Sequence, residues 1–193
     1  MREKEIEFKN LLTEDEYQRL FTAFNLGEVN TIINKNYYYD DNNKTLKKSG
    51  AALRLRFSER KNEITLKIRG LKGNIEINVP ITSELYLNAP QVLSSLPEVI
   101  MAELEAMNVS IKTPLLFQQI TTMRKELKLP QGLLVLDKTI FLDNVVDYEL
   151  EFEVNDYNDG KSAFEKILRE FDIVERLTKP KIARAEEYAK NKL

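Results

Sequence analysis

The chain has 193 residues, 29 Lys+Arg against 31 Asp+Glu, a formal net charge of −2, 42% hydrophobic and 31% charged residues, and neither cysteine nor histidine. Disulfides, thiolate metal sites, zinc held by imidazole and every Ser-His or Cys-His nucleophile pair are therefore excluded, and any metal must be held by oxygen, which selects Mg²⁺, Mn²⁺ or Ca²⁺. The near balance of charge argues against nucleic acid as a partner, no apolar run reaches the roughly 18 residues that span a bilayer, and the charged start from Met1 to Lys9 is unlike a signal peptide, so the expectation is one cytoplasmic domain over residues 1–193.

Lys4 to Lys9 alternates, with Glu5, Glu7 and Lys9 on one side and Ile6 and Phe8 on the other. Thr13 to Leu26 has helical spacing: Leu20, Phe21 and Phe24 give it an apolar face, Thr13 is a cap, and Glu16 falls at the capping-box position. Asn30 to Asn34 has no clear pattern. A strand carrying Tyr38 and Asp40 on one side leads to Asn42, Asn43 and Lys44, which read as the tip of a turn. Ala52 to Phe57, Glu63 to Arg69 and Asn74 to Val79 are period-two strands, the last two joined by a turn containing Gly70 and Gly73. Ser83 to Met107 is the main helical stretch, broken by Pro90 and Pro97, and is expected to cover the outside of the sheet. Ile120 to Leu129, Leu133 to Phe141 and Asp147 to Val154 return to strand. Lys161 to Phe171 has the spacing of an amphipathic helix and Lys181 to Lys192 that of a terminal one. Consecutive strands with short turns imply antiparallel pairing.

Each strand has a charged side. Arg54 and Arg56 share one, as do Glu63, Thr65, Lys67 and Arg69; Glu76 and Asn78; Arg124, Glu126 and Lys128; Val135, Asp137 and Thr139; and Glu149, Glu151 and Glu153. Lys125 breaks the pattern on the opposite side of its strand. For any one strand, a solvated sheet face explains the charges. The whole set fits closure better: an α+β fold with a closed eight-stranded antiparallel β-barrel, a polar charged lumen, and the apolar side turned outward beneath helices. Buried ions must pair, stay hydrated or meet a ligand of matching charge. Arginines and lysines take phosphate oxygens, and clustered carboxylates take a divalent metal, so a lumen with both signs suits a polyanion plus a cation. Tyr37 and Tyr39 fit sheet packing; Tyr38 fits either packing or the lumen.

Read in order, these residues resemble a known family. Glu5-Ile6-Glu7-Phe8-Lys9 is similar to the N-terminal Glu-x-Glu-x-Lys signature of the CYTH superfamily, also called triphosphate tunnel metalloenzymes. Tyr38-Tyr39-Asp40 resembles its Tyr-x-Asp, Arg54-Leu55-Arg56 its Arg-x-Arg, and Thr65-Leu66-Lys67 its Thr-x-Lys. Glu76, Arg124 and Asp137 stand where the family has an acid, a base and an acid; Glu149-Leu150-Glu151 resembles its late Glu-x-Glu, and Lys179-Pro180-Lys181 with Arg184 its basic C-terminal segment. The resemblance implies a metal-dependent hydrolase acting on inorganic triphosphate or a small organic triphosphate, with Mg²⁺ or Mn²⁺. It also admits a class IV-type adenylate cyclase or a triphosphate sensor without turnover. It assigns catalytic roles to Glu5, Glu7, Lys9, Glu149 and Glu151. By it, phosphate falls to Lys9, Arg54, Arg56, Lys67, Arg124, Lys181 and Arg184, with Lys179 as a substitute, and metal to Glu5, Glu7, Asp137, Glu149 and Glu151, assisted by Glu76. The expected partner is a small triphosphate-bearing substrate, with neither nucleic acid nor membrane; the oligomeric state is left open.

Overall fold

Period-two alternation produces eight strands: β1 (Arg2–Leu12), β2 (Ile32–Asp40), β3 (Ala51–Ser58), β4 (Glu63–Arg69), β5 (Asn74–Pro80), β6 (Leu115–Leu129), β7 (Gly132–Ile140) and β8 (Val146–Val154). Among the described residues, five α-helices accompany them: α1 (Glu14–Ala23), α2 (Thr45–Lys48), α3 (Glu98–Ala106), α4 (Tyr157–Glu170) and α5 (Lys181–Lys190). A computed structural model describes residues 2–71, 73–81 and 95–190. The strands form a closed antiparallel barrel in the order β1-β5-β4-β3-β2-β6-β7-β8, with β8 pairing back to β1. The expected helix from Ser83 coincides with α3 only at its C-terminal part, where Pro97 stands at the N-cap; residues 83–94, with Pro90, lie outside the described residues, as does Lys192. Among the described residues no helix is long and apolar enough to cross a membrane.

The chain divides into two compact units, Met1–Lys4 with Lys35–Gln119 and Glu5–Asn34 with Ile120–Leu193. In the first, Leu53, Leu55, Ile64, Leu66 and Ile77 point to one side of β3, β4 and β5 and pack with Tyr39, Leu46 of α2, and Ile100 and Leu104 of α3. Each such side chain contributes about 1.5–3 kcal/mol by leaving water. Tyr37 joins this core edge-on to Phe57. Gly73 sits at φ 92°, and a Cβ on Gly70 would come within 2.3 Å of the Gly73 carbonyl oxygen, so the β4–β5 turn requires glycine at both places.

In the second unit the apolar side of the sheet, Leu134, Leu136, Leu150 and Phe152, packs with Leu12, with Tyr17 and Leu20 of α1, and with Phe164, Ile167 and Leu168 of α4. Phe8 stacks on Phe164. The capping box forms as expected, with Thr13 Oγ1 accepting from the Glu16 N–H and the Glu16 carboxylate accepting from the Thr13 N–H. Helix α4 begins at Tyr157, four residues before the expected start. Asp156 caps it, and Gly160 hides its helical spacing. That glycine is needed because a Cβ there would meet Val154 at 2.4 Å. Lys125, the misfit of its strand, folds its ammonium over the Phe21 ring, 5.6 Å from the centroid, and donates to the Val29 carbonyl. An aliphatic stem with a tethered tip satisfies an apolar side.

Candidate active site

In the second unit, strand register puts ionic residues side by side. Across β6, β7 and β8, Arg124 pairs with Asp137 and Asp137 with Glu149; across β8 and β1, Glu151 pairs with Lys9 and Glu153 with Glu7. Directly paired residues share a sheet face. The Arg124 guanidinium grips Asp137 bidentately, Nε to Oδ1 at 2.9 Å and Nη2 to Oδ2 at 2.8 Å, and Nη2 also reaches Glu151 Oε2 at 2.5 Å. Lys9 Nζ lies 2.9 Å from Glu7 Oε1 and 3.6 Å from Glu151 Oε1.

Lys181, at the start of α5, completes the cluster. Its ammonium lies 2.7 Å from Glu149 Oε1, 2.7 Å from Glu151 Oε1 and 3.0 Å from Asp137 Oδ2. Its approach is fixed by the preceding segment. Asn10 takes the Arg176 N–H on its Oδ1 at 2.6 Å and donates to the Val174 carbonyl at 2.9 Å; Thr178 Oγ1 accepts from the Leu11 N–H at 2.8 Å. Arg176 donates to Glu16 at 2.8 Å and to the Leu11 carbonyl at 3.0 Å. One turn further along α5, Arg184 is buried. Its Nε donates to Asp147 Oδ2 at 2.8 Å, its Nη1 to the Lys179 carbonyl, and its Nη2 pairs with Glu149 Oε2. Tyr188 donates its hydroxyl to Asp147 at 3.2 Å.

These groups divide the charge unevenly. Burial works against the charge on Glu151 and Asp137, but Lys181 and Arg124 outweigh it and hold both carboxyls below their usual range, Glu151 far below. Burial, with the neighbouring charge of Glu151, pushes Glu149 up to about 7 against the pull of Lys181. Glu153 also rises to about 7: burial leads, Arg124 at 3.6 Å opposes, and Glu151, Glu5 and Glu7 add to the rise. Burial is likewise overcome at Lys181, whose pKa is driven well up by Glu149, Glu151 and Asp137, and at Lys9, raised by Glu151, Glu7 and Glu149.

The first unit carries a separate, more basic set. Arg54 Nη2 donates to Thr65 Oγ1 at 3.3 Å and lies 3.8 Å from Glu63; Thr65 in turn donates to Asn78 at 2.8 Å. Arg56 Nε donates to Asn36 Oδ1 at 2.8 Å, and Lys67 Nζ lies 3.2 Å from Glu76. Burial of Glu76 is outweighed by Arg54, Lys67 and Arg56, so it stays ionised below its usual range.

The sequence-derived residues thus fall into two groups, Arg54, Arg56, Lys67 and Glu76 in one unit and Glu5, Glu7, Lys9, Arg124, Asp137, Glu149, Glu151, Lys181 and Arg184 in the other. Asp40 has a structural role, since its carboxylate accepts the N–H groups of Asp41, Leu46 and Lys47 and so builds α2. Lys179 pairs with Glu187 on the exposed side of α5. Sequence reasoning misses Asn36, which holds Arg56, and Asp147, which holds Arg184. A signal exists for both: Asn36 is two residues before Tyr38, and Asp147 two before Glu149, each on the same face by period two.

Among the described residues no three acidic side chains make a metal-ready group by themselves; Asp137, Glu149 and Glu151 are gathered on an ammonium instead. The donor set nonetheless fits a hard divalent cation. It is all oxygen, and it closes around a single positive charge within 3.0 Å.

The sequence matches the CYTH domain family over residues 3–185, a span that runs through both units. It is 37% identical over 183 residues to "Putative triphosphatase YjbK" of Bacillus subtilis (strain 168), covering 94% of each chain. Its fold superposes on a Bacillus halodurans crystal structure described as a "putative adenylate cyclase", with a TM-score of 0.84 at 29% identity, over 95% of this chain and 97% of that one. It also superposes on HpAC1 from Hippeastrum, described as a "Putative adenylyl cyclase" that "reveals a dominant triphophatase activity", with a TM-score of 0.70 at 20% identity over 95% of each chain. The last likeness concerns the fold; the first two carry the sequence as well, and on them this chain belongs to the CYTH domain family.

Proposed function

We propose that this protein is a divalent-metal-dependent triphosphatase, hydrolysing inorganic triphosphate or a small organic triphosphate within the charged interior of its barrel. The observation that carries the reading is the convergence of Asp137, Glu149 and Glu151 on one cationic point, with phosphate-competent Lys9, Arg124 and Lys181 in contact with the same carboxylates. Glu5 and Glu7 join those three as ligands for Mg²⁺ or Mn²⁺. When bound, such an ion would neutralise phosphate charge and lower the pKa of a water so that, on losing a proton, it becomes a nucleophile for phosphorus. Within the second unit, Lys9, Arg124, Lys181 and Arg184 hold phosphate oxygens, the arginines through planar forks that match two oxygens at once; in the first unit, Arg54, Arg56 and Lys67 form a basic row that by its own chemistry also suits phosphate. Fixed cations of this kind stabilise charge that builds up as a phosphoryl group leaves. The name borne by YjbK supports the hydrolase reading. We also place the protein in the cytoplasm.

A second reading, cyclisation of ATP, is favoured by the likeness to the Bacillus halodurans structure. One assay separates the two: inorganic triphosphate, ATP and thiamine triphosphate are each supplied with Mg²⁺ or Mn²⁺, and products are identified. Orthophosphate, lost on chelation, supports the triphosphatase. Pyrophosphate with cyclic AMP moves the assignment to the cyclase, and binding without product moves it to a sensor.

A further inference from the structure

Lys181 occupies an unusual place for a side chain meant to hold substrate. Its ammonium is 2.7–3.0 Å from three carboxylates on two adjacent strands, Asp137 and Glu149 being fully buried. Along β7 and β8, Arg124 neutralises Asp137 and one oxygen of Glu151. What remains is an excess of negative charge around Glu149, where Lys181 and Arg184 each take one oxygen.

We propose that Lys181 is an exchangeable internal counter-ion: its ammonium stands where a divalent metal's charge is required, and the metal must expel it, loosening the start of helix α5. This rests on the metal-dependent reading above and adds to it a coupling between metal binding and the position of α5. The argument is one of charge. Glu149 and Glu151 cannot serve a divalent ion and an ammonium at the same oxygens. Once a metal takes Glu149, Lys181 and Arg184 both lose an anionic partner in a buried place, and an unpaired buried ion costs several kcal/mol. Lys181 escapes that cost only by moving toward water or toward phosphate. Arg184 keeps Asp147, and Tyr188 keeps both Asp147 and an edge-on contact with Phe141 at 5.0 Å between ring centroids. The far part of α5 therefore remains attached while its first turns open. Metal-free protein is held closed by its own lysine, and the lysine is released toward the triphosphate only when metal is present.

The test pairs two measurements on the full chain. Mn²⁺ affinity is measured by calorimetry for the wild type and for Lys181→Met, and amide hydrogen exchange of α5 is followed in the wild type with and without Mn²⁺. Removing the competing charge makes Mn²⁺ bind tighter by about tenfold or more, and Mn²⁺ speeds exchange in the first turns of α5. Equal or weaker binding by the variant, together with α5 exchange unchanged or slowed by metal, overturns the counter-ion role while leaving the metal site standing. Absence of Mn²⁺ binding in both proteins, with triphosphate turnover insensitive to chelator, overturns the metal reading as well. Should Lys181→Met fail to fold, the wild-type exchange experiment decides alone.

Discussion

The two units of this molecule follow one plan and use it differently. In each, the apolar side of the strands packs under helices and a charged row takes the other side. In the second unit the charges interlock: the Arg124 side chain is 13% exposed and those of Asp137 and Glu149 are fully buried, with contacts at 2.5–3.0 Å. In the first unit, Arg54 lies 3.8 Å from Glu63 and Lys67, 30% exposed, 3.2 Å from Glu76, while Lys61 at the surface reaches Glu63 at 2.9 Å. An acid-rich cluster that must be buried recruits cations from α5 to be tolerated, whereas a base-rich row has the charge that suits an anionic ligand.

Substitutions can break this contrast. The largest effect is expected at Glu149. Like-charge repulsion taken alone predicts that Glu149→Ala costs little stability. Its burial between Lys181 and Arg184 reverses that, and the variant loses about 1–3 kcal/mol, because each cation gives up one buried ionic contact, Lys181 keeping Glu151 and Asp137 and Arg184 keeping Asp147. Turnover falls with it by about a thousandfold. Urea denaturation and steady-state kinetics measure both. A variant as stable as wild type shows that the cluster is not interlocked. Arg54→Ala sharpens the other side of the comparison. It raises KM for triphosphate by about tenfold to a hundredfold, the loss of one charge-assisted contact, while unfolding free energy changes by about 1 kcal/mol or less. A large stability loss with unchanged KM removes Arg54 from the substrate.

The pH dependence is smaller, and Glu153 and Glu149 give it the same sign. An ordinary glutamate ionises near 4.5 and Glu153 near 7, so the folded chain holds the extra proton between those values. Stability from this group therefore falls as pH rises from about 4.5 to about 7 and is level above. Thermal midpoints of metal-free protein across pH 5 to 8 follow that course, with Glu149 adding to the fall, and Glu153→Gln makes it shallower; a midpoint that climbs through the window contradicts the assignment. Least affected is the exposed face of α4. Lys161→Ala breaks a 3.7 Å pair with Glu165 that lies in water, and its unfolding free energy stays within about 0.5 kcal/mol of wild type.

Much of the fold is legible in the alternation itself. It marks Glu63–Arg69 to the residue, and β3, β5, β7 and β8 to within one residue at each end, because burial on one side of a strand imposes period two on the sequence. It does not mark the start of β6 at Leu115, since Leu115, Leu116 and Phe117 are consecutive apolar residues without alternation. Helix α2 reads as part of a turn because four residues carry no periodicity; it exists through the carboxylates of Asp40 and Asp41, which accept backbone N–H groups across the turn. The site residues are legible as rows on strands and as an ordered resemblance. Their partners are not, and Asp147 and Asn36 appear as clasps only once Arg184 and Arg56 are seen bonded to them.

The sequence by itself determined the oxygen-only chemistry, through the absence of histidine and cysteine, and the two-sided strands, because alternation is a local property that each strand carries alone. Tertiary structure decided which acid meets which base. Contacts such as Lys181 with Glu149, more than thirty residues away along the chain, depend on how Asn10, Glu16, Arg176 and Thr178 bind the segment ahead of α5 to the barrel. Pairing of that kind is set by strand register and helix docking, and no local pattern records it.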